Sequence, residues 1–163
     1  MKSAPLVSLG LPVYNGSNFL EETLVSISEQ TFADYELIIS DNASTDSTYK
    51  ICKSFAEKDS RIVLTRNNQN KGAAYNYNKV FYQSKGKYFK WAAHDDLYEN
   101  NYLEKLIIPL EKDSQCAVSF PKRIIINEKG IKEEFISDNL NLESNDPVER
   151  YKMFLYKFRY NTI

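Results

Sequence analysis

Tyr88-Phe89-Lys90-Trp91-Ala92-Ala93-His94-Asp95-Asp96 is an apolar, strand-like run that ends abruptly in two adjacent carboxylates. A parallel strand covered on both faces reads as a near-continuous apolar run, and in open α/β sheets the carboxyl ends of such strands line the ligand crevice. Asp95 and Asp96 are therefore site candidates. Two fixed negative charges at one strand end repel each other, and a hard divalent cation that also holds a phosphate-bearing ligand would neutralise them. On this stretch alone, a solvated turn entering the next helix explains the same residues equally well.

The segments upstream set that run in a repeating order. Leu6 to Val13 reads as a first buried strand, with Pro12 near its end, where a missing N–H is tolerated. Asn15-Gly16 supplies a turn. Asn18 and Glu21 form a capping-box variant, and Leu20, Leu24 and Ile27 make the apolar stripe of a helix that ends near Gln30. Tyr35 to Ser40 is the second strand, followed by Asp41-Asn42-Ala43-Ser44-Thr45-Asp46, rich in capping and turn-forming side chains. Ile51, Cys52 and Phe55 mark the inner face of a second helix.

A third strand spans Arg61 to Thr65, and a polar loop from Arg66 to Gly72 leads into a third helix whose face is Ala73, Tyr77, Val80, Phe81 and Ser84. Gly86 suits the left-handed residue that closes a helix. Helix four starts near Asn101, with Tyr102, Leu103, Leu106 and Ile107 inward and Pro109 ending or kinking it. Cys116 to Phe120 is expected to be a fifth strand. This alternation predicts an α/β fold, a mostly parallel Rossmann-like sheet with helices on both faces and right-handed crossovers. The pattern then changes. Arg123 to Asn127 and Ile131 to Phe135, joined by Glu128-Lys129-Gly130, predict a β-hairpin, and an acidic loop runs from Ser137 to Asn145. Asp146-Pro147-Val148-Glu149 opens a C-terminal helix striped with Tyr151, Phe154, Leu155 and Phe158.

Three strand ends thus converge on one sheet edge: Pro12 to Asn15, Asp41, and Asp95-Asp96. A nucleotide needs a flat surface for its base, an acceptor for base or ribose donors, and compensation for its phosphates. Tyr14, Asp41 and a cation on Asp96 could supply these. The glycine-rich dinucleotide fingerprint is absent after strand one, where only Gly10 and Gly16 occur, and no Walker phosphate loop is present. Without a glycine cradle, a bound diphosphate would need the metal.

Leu11-Pro12-Val13-Tyr14-Asn15, the run from Ser28 through Asp41 to Asp46, Asn70 and Gly72 with Asn78 six residues on, and Gly86-Lys87-Tyr88 followed by His94-Asp95-Asp96 occur in one order. Over about residues 5 to 120 these blocks resemble family 2 glycosyltransferases with the GT-A fold. The resemblance implies a glycosyltransferase of hexosyltransferase type that binds a nucleotide-diphosphate sugar, most readily a UDP-sugar, through Mn²⁺ or Mg²⁺. The sugar would pass with inversion to the hydroxyl of an acceptor glycan or lipid-linked glycan. Pro12, Tyr14 and Asn15 match the segment along base and ribose, Asp41 the acidic base contact, and Asn70, Lys71 and Gly72 a further nucleotide contact. His94-Asp95-Asp96 stands at the Asp-x-Asp position with His94 replacing the first Asp. Asp96 is then the direct metal ligand and Asp95 a ribose or metal-water contact.

Each role has a plainer counterpart. Tyr14 could pack over the first helix, Asp41 and Asp46 could cap, Asn70 and Gly72 could shape a turn, and Lys71 could be a solvated charge. The general base that such a transfer requires has no confident match, since Asp146 reads better as an N-cap and Asp138 as loop solvation. The 163 residues are therefore expected to be one nucleotide-binding domain, truncated on the acceptor side. A binding module without transfer, or less readily a nucleotidyltransferase, remain the rivals.

Net charge is −1, with 21 Lys and Arg against 22 Asp and Glu, which gives no electrostatic case for nucleic acid. Cys52 and Cys116 lack metal-ligand spacing and read as reduced core thiols, consistent with a cytoplasmic location. No window resembles a membrane span, and association with a membrane is left to a longer protein. The striped C-terminal helix suggests self-association.

Overall fold

The computed structural model describes residues 4–136, 144 and 146–158. Two compact units divide the chain, Met1–Ser119 and Phe120–Ile163. In the first, strands β1 (Val7–Val13), β2 (Tyr35–Asp41), β3 (Ile62–Arg66) and β4 (Tyr88–Trp91) alternate with helices α1 (Leu20–Ser28), α2 (Thr48–Ala56), α3 (Ala73–Tyr82) and α4 (Tyr102–Lys112). All four strands are parallel, in the order β3-β2-β1-β4. The predicted α/β sheet is therefore present.

Every residue of β1 is buried, as its unbroken apolar run requires. Val7, Leu9, Leu11 and Val13 join Leu37 and Ile39 in one core with Leu20, Leu24 and Ile27 of α1, Cys52 of α2, and Leu103 and Ile107 of α4. The alternate residues of β1 and β2 meet α3. A Cβ on Gly10 would stand 2.8 Å from Val80, which explains why this strand carries a glycine. Pro12 sits within a central strand without cost, because Val7 N–H turns toward β2 whereas the Gly10 carbonyl bonds Ala92 on the β4 side. The nitrogen of Pro12, like Gly10, faces the β4 side, where pairing has already stopped at Trp91.

Several expectations are corrected. β4 covers only Tyr88–Trp91 and lies at the edge of the described sheet, with Trp91 46% exposed, so the run is not buried on both faces. Its rings cover one another instead: Phe89 stands edge-on to Phe81 and Trp91, with centroids 5.1 and 5.0 Å apart. Tyr77 and Phe81 belong to this half-exposed rim, and the buried face of α3 is Asn76 and Val80. An apolar count misses that face because its first member is an amide. Asn18 does not cap α1, whose N-cap position is Phe19 and carries no side-chain cap bond. Gly86 is absent from the left-handed glycines; a Cβ there would stand 2.6 Å from the backbone nitrogen of Ser8, so close approach demands it. α4 continues past Pro109 to Lys112. Cys116–Phe120 forms no strand, and Val118 and Phe120 are exposed.

The second unit contains the antiparallel hairpin β5 (Arg123–Ile126) and β6 (Lys132–Ile136), with Gly130 at φ +72° in the connection, and α5 (Pro147–Phe158). The hairpin thus appears as expected. Asp146 caps α5 by accepting the Val148 N–H at 2.8 Å. Most of the acidic loop, Asp138 included, and the side chains of Phe154, Leu155 and Phe158 lie outside the described residues. Tyr151 is exposed.

Candidate functional site

β1 and β2 end in register, Val13 opposite Asp41, and β4 ends on the other side of β1. The segments that leave these strands therefore emerge at one edge. Tyr14 is 46% exposed, whereas Pro12 is buried within the strand end. Asn15 takes φ +50°, a left-handed conformation that asparagine tolerates. Its N–H donates to Ser44 Oγ at 2.9 Å, and its Oδ1 accepts the Thr45 N–H at 2.9 Å. Gly16 N–H donates to Thr48 Oγ1 at 2.9 Å and Ser17 N–H to Asp46 Oδ2 at 3.2 Å. The loop after β1 is thereby stitched to the loop after β2.

Asp46 closes that seam. Burial disfavours its charge, but hydrogen bonds from Thr48 and Ser17 outweigh this and bring the carboxyl to about 2. The capping alternative is correct here, since Asp46 Oδ1 accepts the Thr48 N–H at 3.0 Å at the start of α2.

Asp41 is wholly buried. Ala43, at φ +63°, turns the chain so that Ser44 N–H returns to Asp41 Oδ1 at 3.2 Å. Arg66 Nε lies 3.0 Å from Asp41 Oδ2, an ion pair without a straight N–H···O bond, so this oxygen keeps an unused acceptor direction. The Arg66 guanidinium also donates to Ser44 O at 2.8 Å and lies 4.5 Å above the Tyr49 ring. Beneath, burial and the charge of Asp41 push the Cys52 thiol up to about 12, which makes it an inert core group.

Below Asp41 the site is built of amides. Asn76 Nδ2 donates to Ser40 O at 2.7 Å and its Oδ1 accepts the Ser40 hydroxyl at 2.7 Å. Asn67 Nδ2 reaches Asn76 Oδ1 at 3.2 Å and Asn42 Oδ1 at 2.8 Å, while Lys79 Nζ donates to Asn67 Oδ1 at 2.9 Å. The loop of Asn70, Lys71 and Gly72 hangs from this network. Gly72 needs its glycine for φ +83°. Asn70 Oδ1 accepts the Gly72 N–H at 2.8 Å, an Asx turn, so the turn-shaping alternative holds for that oxygen. Lys71 is exposed, with Nζ 4.7 Å from the Tyr75 ring centroid. Asn42, Asn67, Asn76 and Arg66 escaped sequence reasoning. The one available signal was a run of amides and a serine at positions where the strand register demands burial.

At the end of β4, His94 O accepts the Thr23 hydroxyl at 2.8 Å, and the imidazole rests on Gly16. Asp95 and Asp96 are exposed and take no hydrogen bond or ion pair from the described residues. Behind them, Lys90 Nζ lies 5.1 and 5.5 Å from the ring centroids of Tyr98 and Tyr102. Burial lowers the Lys90 pKa against the pull of Asp96, and burial with the Asp96 charge raises both tyrosines.

Among the described residues no three His, Cys, Asp or Glu side chains meet to form a metal cluster. Two free carboxylates still fit a hard cation of the kind that takes few protein ligands and completes its shell with phosphate and water. His94, seated on Gly16, is not placed as a ligand.

Residues 8–161 match the model of glycosyl transferase family 2. An uncharacterized glycosyltransferase of Rickettsia typhi is 35% identical over 127 residues, 77% of this chain and 39% of that protein. The putative teichuronic acid biosynthesis glycosyltransferase TuaG of Bacillus subtilis is 32% identical over 126 residues, 77% of this chain and 50% of its own. The chain thus spans half or less of these relatives' length. Its GT-A fold is shared with S. aureus TarS 1–349 in complex with UDP, at TM-score 0.61 and 23% identity, covering 65% of this chain and 32% of that one. The mannosyltransferase PcManGT of Pyrobaculum calidifontis, solved with GDP-Man and Mn²⁺, aligns at TM-score 0.54 and 27% identity over 60% of this chain and 29% of its own.

Proposed function

Since the chain belongs to glycosyl transferase family 2, we propose that it binds a nucleotide-diphosphate sugar at the carboxyl ends of β1, β2 and β4 and serves transfer of the sugar, with inversion, to an acceptor hydroxyl. The observation that supports this reading is the seam between the loops after β1 and β2, which ties the segment of the exposed Tyr14 to the end of β2, where the Asp41 carboxylate keeps an Oδ2 with no aligned donor. A base can lie on the ring while its N–H donor meets that oxygen. Arg66, whose side chain is 43% exposed, is the group that must move to admit it. UDP is the expected nucleotide, and GDP, present in the mannosyltransferase relative, is the competitor.

Asp96, with Asp95, would hold Mn²⁺ or Mg²⁺, which when bound compensates the diphosphate charge as the glycosidic bond breaks. Lys71 stands on the β2 side of the site as a second positive group. The acceptor is expected to be a glycan or lipid-linked glycan. Among the described residues no helix is long and apolar enough to cross a membrane.

Calorimetry with UDP and GDP, each with and without Mn²⁺, tests the binding half. Tight binding of one nucleotide only in the presence of metal supports it, and no binding of either contradicts it. Release of UDP from UDP-sugars in the presence of an acceptor separates a transferase from a module that only binds.

A further inference from the structure

Asn42 is 2% exposed, and its amide is fully used. Its Nδ2 donates to Asn70 Oδ1 at 2.8 Å and to Gly72 O at 3.2 Å, while its Oδ1 accepts the Lys71 N–H at 3.0 Å and Asn67 Nδ2 at 2.8 Å. All but the last of these bonds reach the loop of Asn70, Lys71 and Gly72. That loop has little else to hold it. Its residues are exposed, and a Cβ on Gly72 would meet no atom within 4 Å. Its other ties are its own Asx turn, the Asn76 N–H to Gly72 O bond at 3.3 Å that opens α3, and the Lys71 contact with Tyr75. An amide buried at a strand end costs desolvation that an apolar residue avoids, so its return is the position of what it bonds.

We propose that Asn42 is a positioning residue for the nucleotide site, a latch that fixes the exposed loop 70–72 at the end of β2 and thereby sets affinity for the nucleotide diphosphate. This rests on the donor-binding reading above. Asn42 follows Asp41 directly, so one strand end sets both the buried acceptor and the exposed loop. Asn67 and Asn76 act one step further back, by fixing the Asn42 amide and the Ser40 backbone.

The test compares Asn42→Ala, Asn70→Ala, their double variant and Asn70→Asp by calorimetry with UDP and GDP in Mn²⁺, alongside melting temperatures and amide exchange at Lys71 and Gly72. Each alanine variant is expected to weaken nucleotide binding about tenfold or more, Asn42→Ala by cutting its three bonds to the loop and Asn70→Ala by cutting the bond to Asn42 and the Asx turn. The double variant should lose less than the sum of the two singles, because the Asn42–Asn70 bond is broken in both. Asn70→Asp keeps the acceptor oxygen that Asn42 and Gly72 use and should keep the loop ordered, while its added charge repels the diphosphate. Exchange at Lys71 and Gly72 should accelerate in the alanine variants and not in Asn70→Asp.

Weakened binding in Asn42→Ala with exchange at Lys71 and Gly72 unchanged would overturn the proposal, because the loop would then be fixed without Asn42. So would a fall in melting temperature with affinity unchanged. Should Asn42→Ala fail to fold, Asn70→Ala and Asn70→Asp decide the matter from the exposed side. If the unaltered protein binds neither nucleotide, the donor-binding reading itself fails, while the exchange data still report whether Asn42 holds the loop.

Discussion

The His94 imidazole lies so close to Gly16 that a Cβ on Gly16 would stand 2.4 Å from His94 Cδ2. This contact joins the segment after β1, which carries Tyr14 and Asn15, to the segment after β4, which carries Asp95 and Asp96. Gly16→Ala must push the ring away, and the adjoining Asp95-Asp96 segment is expected to shift with it. Overpacking of this kind costs about 1–3 kcal/mol. The expected result is a lower melting temperature together with weaker Mn²⁺-dependent nucleotide binding. His94→Ala in the same background should restore both, because it empties the space that the new methyl group needs. Denaturation curves and titrations on the two variants check this.

Asp46 makes the seam between the two loops sensitive to acid. Its pKa, held at about 2 in the folded protein by Thr48 and Ser17 against the opposing effect of burial, lies below the ordinary carboxylate value. A depressed carboxyl contributes stability that is complete above its unfolded pKa of about 4 and is lost as pH falls through the folded value. The stability difference between the unaltered protein and Asp46→Asn should therefore be constant above about pH 5 and shrink between about pH 4 and 2. Urea denaturation of both proteins across that range measures it, and a difference that grew on acidification would contradict the assignment.

Arg66 shields a carboxylate that has no contact with water. Removing one member of a buried pair leaves an uncompensated charge, a loss of about 3–5 kcal/mol in the deep interior. Because the Arg66 side chain is 43% exposed, about 2 kcal/mol is expected for Arg66→Ala. Asp41→Asn in that background should recover most of the loss, since it removes the orphaned charge. Denaturant midpoints for the two singles and the double variant form the cycle that tests the pairing.

The parts of the fold that follow from burial of apolar side chains were legible in the sequence. The β1 and β2 runs, the α1 stripe and the hairpin around Gly130 all appear where periodicity and turn chemistry put them. Reading failed where side chains cover one another at an edge, as Phe81, Phe89 and Trp91 do, because such a patch has the composition of a core without its burial. It failed again where buried positions are polar. Asn76 turns inward because Ser40 offers both a carbonyl and a hydroxyl, and no count of apolar residues can register that exchange. The residues suggested for the site were legible as types at strand ends. The groups that hold them, Asn42, Asn67 and Arg66, depend on contacts between segments far apart in the chain, which spacing does not encode.

Asp96 is the residue through which the β4 end would grip the donor by way of a divalent cation. The most direct test is calorimetric titration of UDP, with GDP in parallel, into the protein and its Asp96→Ala variant, each with and without Mn²⁺. Mn²⁺ is expected to strengthen binding at least about tenfold in the unaltered protein and to have no effect in Asp96→Ala, whose metal-free affinity stays the same. Undiminished Mn²⁺ dependence in Asp96→Ala would contradict that role for Asp96.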